Sequence, residues 1–480
     1  MTNYEAVIGL ETHIQLNTKS KIFCSCKADS WGDPPNTNIC PVCTGQPGVL
    51  PVPNQGAVEK GILLAAAMNA EIRPISYFDR KNYFYPDLPK GYQISQYDMA
   101  LAKGGYLDLT LSDGSTRKVT IEKLHIEEDA GKTIHKPDRR LLDFNRCGVP
   151  LVEMVTGPDL RSADEAAAYI NRLRQLLRWI GVSEANMERG HLRIDANVSI
   201  REKGDHELNP KTEIKNVNSV EHVREAINAE IKRQIKEVER GEKIQSWTLD
   251  WDEDSQTLAK MRSKETEADY RYFREPDLLP IILDQEQIEE VLAQLPELPL
   301  AREKRFREEY QLSDYDASVL TGDRALSEYF EAAVRAYDQE PKTAANWMMN
   351  EVLGILNERK IDIEKFMISA EEFAEILKMT AEGTITTSTA KDLLREEDIA
   401  QQPVRAYVEE KGLAQVSDRA EISSICQEII TANPEQAAEY QSGKKSVLGW
   451  FIGQVMQKTG GKADPGVVRQ ILQKLLTEKK

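Results

Sequence analysis

The stretch Ala6–Leu16, AVIGLETHIQL, decides how the N-terminal half of the chain is read. At period two, Ala6, Ile8, Leu10, Thr12, Ile14 and Leu16 fall on one side, and Val7, Gly9, Glu11, His13 and Gln15 on the other. Side chains alternate across a strand, so the pattern predicts a half-buried strand with one apolar face. Its second face carries Glu11, His13 and Gln15 in a row. One such face alone is ordinarily wet, and only its recurrence elsewhere makes it the lining of a site.

The pattern does recur. In LRIDANVSI, Leu192, Ile194, Ala196, Val198 and Ile200 alternate with Arg193, Asp195, Asn197 and Ser199. KTEIKNVNS sets Glu213 and Lys215 on one face. LHIEEDAGK ends a strand with Glu127, Glu128 and Asp129, and alternation alone does not choose among these acids. GVPLVEMVTGPD holds Glu153 in an apolar run, an awkward place for an unpaired charge. Together these strands point to a sheet with one face lined by carboxylates. Such a gathering repels itself unless protons or a cation neutralise it. Oxygen ligands with one imidazole suit Mg²⁺ or Mn²⁺ better than zinc. A metal so held beside Lys and Arg is what phosphoryl transfer from ATP requires. The chain has no G-x-x-x-x-G-K-[ST] loop and no G-x-S-x-G elbow, and Cys147 and Cys426 have no recognisable nucleophile setting. Any ATP site is therefore not a P-loop, and any amide-hydrolysing machinery belongs to another chain.

A chain of 480 residues is expected to form two to four domains. Residues 1–293 read as mixed α and β. Near 285–305 prolines and dense charge intervene, and 294–404 and 405–480 then read as helical units. Two helices in the first part are well marked. One opens with the S-x-x-E box of Ser162 and Glu165, carries Ile170, Leu173, Leu177 and Ile180, and stops at Gly181. The other runs through Val223, Ile227, Ile231, Ile235 and Val238 to Gly241. With 62 basic and 79 acidic residues the net charge is −17, which argues against nucleic-acid binding by the whole surface. From Gln441 onward, however, eight basic residues face two acidic ones. That asymmetry fits a tail touching phosphate, and a solvated basic face is the competing reading. No basic segment followed by an apolar run opens the sequence, and ILLAAAMNA is too short to span a bilayer. A soluble, cytosolic protein is the expectation.

Four of the six cysteines cluster as CSC (Cys24, Cys26) and CPVC (Cys40, Cys43), 13 residues apart. Two thiolate pairs at this spacing close a tetrahedral zinc site around a turn-rich loop, with no open position for catalysis. The alternative is four reduced thiols in a surface loop.

GLETHIQL, FDRKNYFYPDLPKGYQISQYD, LHIEEDAGK, NRCGVPLVEMVTGPDLRS, LRIDANVSIR, EIKNVNS and YRYFREPDLLP together resemble the motif set of the GatB/GatE family. These are the B subunits of aspartyl/glutamyl-tRNA amidotransferases, and the resemblance extends through the tail. It implies an α+β, glutamine-synthetase-like cradle with a mainly antiparallel sheet, then a helical domain and a YqeY-like tail that binds tRNA. It further implies a ligase that phosphorylates the side-chain carboxylate of Glu-tRNA(Gln) or Asp-tRNA(Asn) with ATP. Ammonia from an amidase partner, the A subunit, then displaces phosphate, and a small C subunit clasps the heterotrimer.

Carried over residue by residue, the site comprises Glu11, His13, Glu128, Glu153, Asp195 and Glu213, with Glu11, His13 and Glu128 holding Mg²⁺. Lys81, Tyr83, Asp87 and Lys90 belong to the motif that in the family lies near the mouth of the ammonia tunnel, with packing of a Tyr-rich loop the competing reading. Lys444, Lys445, Lys458 and Lys462 are the tail's candidate tRNA contacts. The cysteine cluster occurs in only some family members, so zinc rests on spacing. Arg274 stands where the family usually has proline, and Ile194 where cysteine is common. A zinc-containing RNA-binding scaffold and a glutamine-synthetase-like ligase acting on a free substrate are the alternatives. Mg²⁺–ATP binding separates the first, and activity on free glutamate would mark the second.

Overall fold

In a computed structural model, residues 3–111, 113–253, 255–263, 267–396, 399, 402–415 and 419–477 are described. The alternating stretch forms the strand Tyr4–Gln15, at the middle of a ten-stranded sheet. Pro150–Thr156 and Leu192–Glu202 flank it, both antiparallel. Beyond the first lie Thr116–Glu128, Ala102–Lys103 and Glu71–Ile72, and beyond the second Thr212–Val217, Trp247–Asp252 and Thr257–Ser263. Thr212–Val217 and Trp247–Asp252 run parallel, and the helix Val220–Glu239 supplies the long crossover such a pair needs.

Ile8, Leu10 and Ile14 are buried in one apolar core with Tyr169, Leu173 and Leu177 of the helix Ala163–Trp179 and Ile227 of Val220–Glu239. Each such side chain contributes about 1.5–3 kcal/mol relative to exposure. The helices thus cover one face of the sheet and leave the other for polar groups.

Ser162 caps its helix by accepting from the Glu165 N–H at 3.1 Å. The reciprocal bond of the expected box is absent. Glu165 instead accepts from the Arg161 N–H at 2.8 Å and pairs with Arg117 at 3.0 Å. The complete box forms at Ser369 and Glu372, which opens the helix Ala370–Ala381. The antiparallel strands Trp247–Asp252 and Thr257–Ser263 went unread in the sequence, as did the strands of two to four residues, in which so few positions show no alternation. Three short strands build a separate sheet, Phe273–Arg274, Asp79–Asn82 and Tyr92–Ser95, which sets the YRYF motif beside the RKNYF motif.

The chain divides into two compact units, Met1–Pro299 and Leu300–Lys480. In the described part of the second, all regular elements are helical. Its buried apolar residues form two clusters, one from Phe306 to Val408 and one from Ile422 to Leu476. No described helix is long and apolar enough to cross a membrane. Replacing Leu10, 1% exposed, by Ala should destabilise the first unit by about 2–5 kcal/mol in urea unfolding. A loss below about 1 kcal/mol would show that the central strand does not depend on this core.

Candidate active site

Strand register turns the separate motifs into one surface. His13 lies opposite Arg193 on one side and Glu153 on the other, and Glu153 lies opposite His125. The row Arg193–His13–Glu153–His125 therefore crosses four neighbouring strands. Two residues along, Glu11 faces Asp195. The His13 Nε2 atom stands 3.5 Å from Glu153, 3.7 Å from Glu11 and 3.9 Å from Glu127. Two sets of ligating atoms result: Glu11, His13 and Asp195, and His13, Glu127 and Glu153, each within 4.8 Å of one another. Octahedral Mg²⁺, with ligands at about 2.0–2.1 Å, spans about 4 Å, so either set is of the right size and hardness.

The two sets differ in how their charge is met. Burial alone would raise the Glu153 carboxyl, but His125, His13 and Lys81 hold it well below the carboxylate range. Glu127 is lowered against its own burial by His125 and Lys81. His125 would be lowered by burial, yet Glu153 and Glu127, at 3.3 and 3.5 Å, push it up to about 9. Lys81, despite burial, is raised well above the usual lysine value by Glu153 and Glu127. Glu11 is the exception, since burial and the nearby Glu153 push it up. His13 and Lys215 oppose that rise without cancelling it. Asp195 pairs with Lys215, whose ammonium also lies 3.8 Å from Glu213.

Glu128 is not brought to either set. Consecutive strand residues face opposite ways, and it is Glu127 that reaches His13. Glu128 accepts from the Ile94 N–H at 2.8 Å and pairs with Lys90. Both line a cavity of about 240 Å³ beside Cys24, Cys43 and Gly45. Lys81 belongs to the acid cluster by its electrostatics. Tyr83 donates to Gln93 at 3.1 Å, and Asp87 accepts from Thr133 at 3.1 Å, so both brace loops. Gln15 donates to Asp129 at 2.8 Å, and Asp129 holds Arg193 at 3.0 Å, so Gln15 supports the row from its end. Arg274 is anchored by Asp79 at 2.8 Å and Asp98 at 2.6 Å and covers the Tyr77 ring. Ion pairs thus hold this short strand at the position where the family usually has proline.

His125 and Lys215 went unassigned in the sequence, although each alternates with an acid, Glu127 and Glu213, that reads out at once. The four clustered cysteines bring their sulfurs within 4.8 Å of one another. Tetrahedral Zn–S bonds of about 2.3 Å put sulfurs about 3.8 Å apart, so the set fits zinc. The Cys24 thiol, hydrogen-bonded to Cys43, is pushed up, while Cys43 is held down to about 5.

Residues 6–289, more than half of the chain, match the model of the GatB/GatE catalytic domain. The chain belongs to the GatB family. A second model, of the GatB domain, matches residues 328–476. Three relatives are named as the B subunit of aspartyl/glutamyl-tRNA(Asn/Gln) amidotransferase. That of Thermodesulfovibrio yellowstonii is 49% identical, over 99% of this chain and 100% of its own. That of Carboxydothermus hydrogenoformans is 46% identical over 100% of both chains. That of Persephonella marina is 47% identical, over 98% of this chain and 99% of its own. The acid face lies wholly inside the matched GatB/GatE catalytic domain.

The two neighbouring glutamates separate by experiment. Glu127→Gln should weaken Mn²⁺ binding, read by electron paramagnetic resonance, about tenfold or more, while Glu128→Gln changes it less than about twofold. Equal losses would contradict the two-sided reading of this strand.

Proposed function

We propose that the chain is the phosphorylating and amidating B subunit of an aspartyl/glutamyl-tRNA(Asn/Gln) amidotransferase. The observation that carries this reading is the acid face around His13, inside a catalytic domain shared with relatives so named over their full length. The side-chain carboxylate of Glu-tRNA(Gln) or Asp-tRNA(Asn) attacks the γ-phosphorus of ATP, the bond to the β-phosphate oxygen breaks, and ADP leaves. Ammonia then attacks the acyl phosphate carbon, phosphate departs, and the nitrogen loses a proton to give the amide.

Mg²⁺, held by Glu11, His13 and Asp195 or by His13, Glu127 and Glu153, would neutralise charge on the transferring phosphoryl group. Lys81 and Lys215 stand beside these acids and provide cationic donors for phosphate oxygens. Arg193, braced by Asp129, stands opposite His13 in the strand register. No step falls to the cysteine cluster, whose zinc would be structural.

The ammonia is supplied by the amidase, or A, subunit in a heterotrimer with a small C subunit, and the complex is cytoplasmic. Residues 1–293 act as the cradle, 294–404 as a helical linker and 405–480 as the tRNA-binding tail. In that tail Lys444 pairs with Glu439 at 2.9 Å, Lys445 covers the Tyr440 ring, and Lys458 pairs with Glu428. Surface pairs of this kind contribute little and exchange readily for phosphate.

In the complex with its partners, His13→Ala should abolish conversion of Glu-tRNA(Gln) to Gln-tRNA(Gln) and leave glutamine hydrolysis intact. Full transamidation by this variant would refute the site. Replacing Lys444, Lys445, Lys458 and Lys462 together by Ala should weaken tRNA binding in a salt-dependent way. The log–log salt slope should fall by about 0.7–0.9 for each phosphate no longer neutralised. An unchanged slope would remove the tail from the tRNA interface.

A further inference from the structure

Lys21 is fully buried, at 0% exposure, and nothing in the reaction above employs it. Its Nζ donates to the Asn38 carbonyl oxygen at 2.8 Å and to Cys43 Sγ at 3.7 Å. Among the described residues no carboxylate forms an ion pair with it. A buried ammonium without an anion is strongly unfavourable, so the sulfur is the counter-charge to consider.

The position of this side chain is set from several sides. The Lys21 N–H donates to the Cys26 carbonyl at 2.8 Å, and Asn54 donates to the Lys21 carbonyl at 3.2 Å. Its stem passes Gly148, where φ is +80° and where an added Cβ would lie 3.7 Å from Lys21 Cδ and 3.4 Å from Cys43 Cβ. The stem is thus enclosed between Gly148 and the CPVC segment. Cys43 Sγ receives a second donor, the Cys40 N–H at 3.2 Å. Two donors converge on this one sulfur.

A divalent ion held by four thiolates carries a net charge of −2. Burying such a centre calls for donors and a cation nearby, and a buried lysine beside it calls for an anion. Each charge answers the other. We propose that Lys21 is the counter-ion of the metal–tetrathiolate centre, a positioning residue that holds the Cys43 sulfur and sets how tightly the centre keeps its metal. This rests on the zinc reading given above. The competing role is a plain hydrogen bond that ties down Asn38, for which the charge of Lys21 is immaterial to the metal.

The test uses the full-length chain as wild type, Lys21→Met, Lys21→Gln and Lys21→Arg, each loaded with Zn²⁺ or Co²⁺. Transfer of zinc to a chromogenic chelator reads affinity, and the sulfur-to-cobalt charge-transfer band reads the ligand field. Wild type should take one ion per chain with a tetrahedral thiolate spectrum. Lys21→Met and Lys21→Gln should bind zinc about 10- to 100-fold more weakly and shift the band, and Lys21→Arg should recover part of both. Circular dichroism of the metal-loaded forms checks folding, and Lys21→Gln, which keeps a donor, serves should the Met variant fail to fold. Unchanged release and an unchanged band in Lys21→Gln overturn the role of Lys21 while the metal reading stands. Absence of metal uptake by wild type overturns the zinc reading and this inference with it.

Discussion

One imidazole among carboxylates organises the catalytic half of this molecule. The His13 Nε2 atom lies within 3.9 Å of Glu11, Glu127 and Glu153, on a sheet face partly withdrawn from water. Acids so close cannot all ionise unless positive charge is brought to them. The protein brings His125 and Lys81 to Glu127 and Glu153, and leaves Glu11 raised. A divalent cation would complete what these side chains leave undone, and ATP phosphates are the ligands that such a cation and the adjacent lysines would take.

The central strand makes this arrangement possible. Its odd-numbered residues build the acid face while Ile8, Leu10 and Ile14 are sealed beneath helices. The strand Thr116–Glu128 ends in two adjacent acids that serve opposite sides. Glu127 reaches His13, and Glu128 pairs with Lys90 in the cavity bordered by Cys24 and Cys43. The cysteine loop and the acid face are therefore neighbours through the thickness of one strand, and a change in either bears on the end of that strand.

Much of this was legible in the residues. Alternation in Ala6–Leu16 and in Leu192–Ile200 fixed both strands and their polar faces, because long strands repeat the signal. The two long helices of the first part announced themselves through apolar stripes and closing glycines. Between Glu127 and Glu128 the resemblance chose Glu128, although Leu124 and Ile126 share its parity; it is Glu127 that stands beside His13, while Glu128 pairs with Lys90. The partner of Glu153 was equally hidden, since strand pairing joins residues 28 positions apart, His125 and Glu153. Gln15 and Arg274 acquired roles only when Asp129, Asp79 and Asp98 came beside them. Such contacts are set by register and chain reversal, to which a linear pattern is blind.

Anomalous diffraction from crystals soaked in Mn²⁺ tests the central claim most directly. The account predicts a peak on the His13 face, bounded by Glu11 and Asp195 or by Glu127 and Glu153. Well-ordered Mn²⁺ bound elsewhere, with no density on that face, would contradict it.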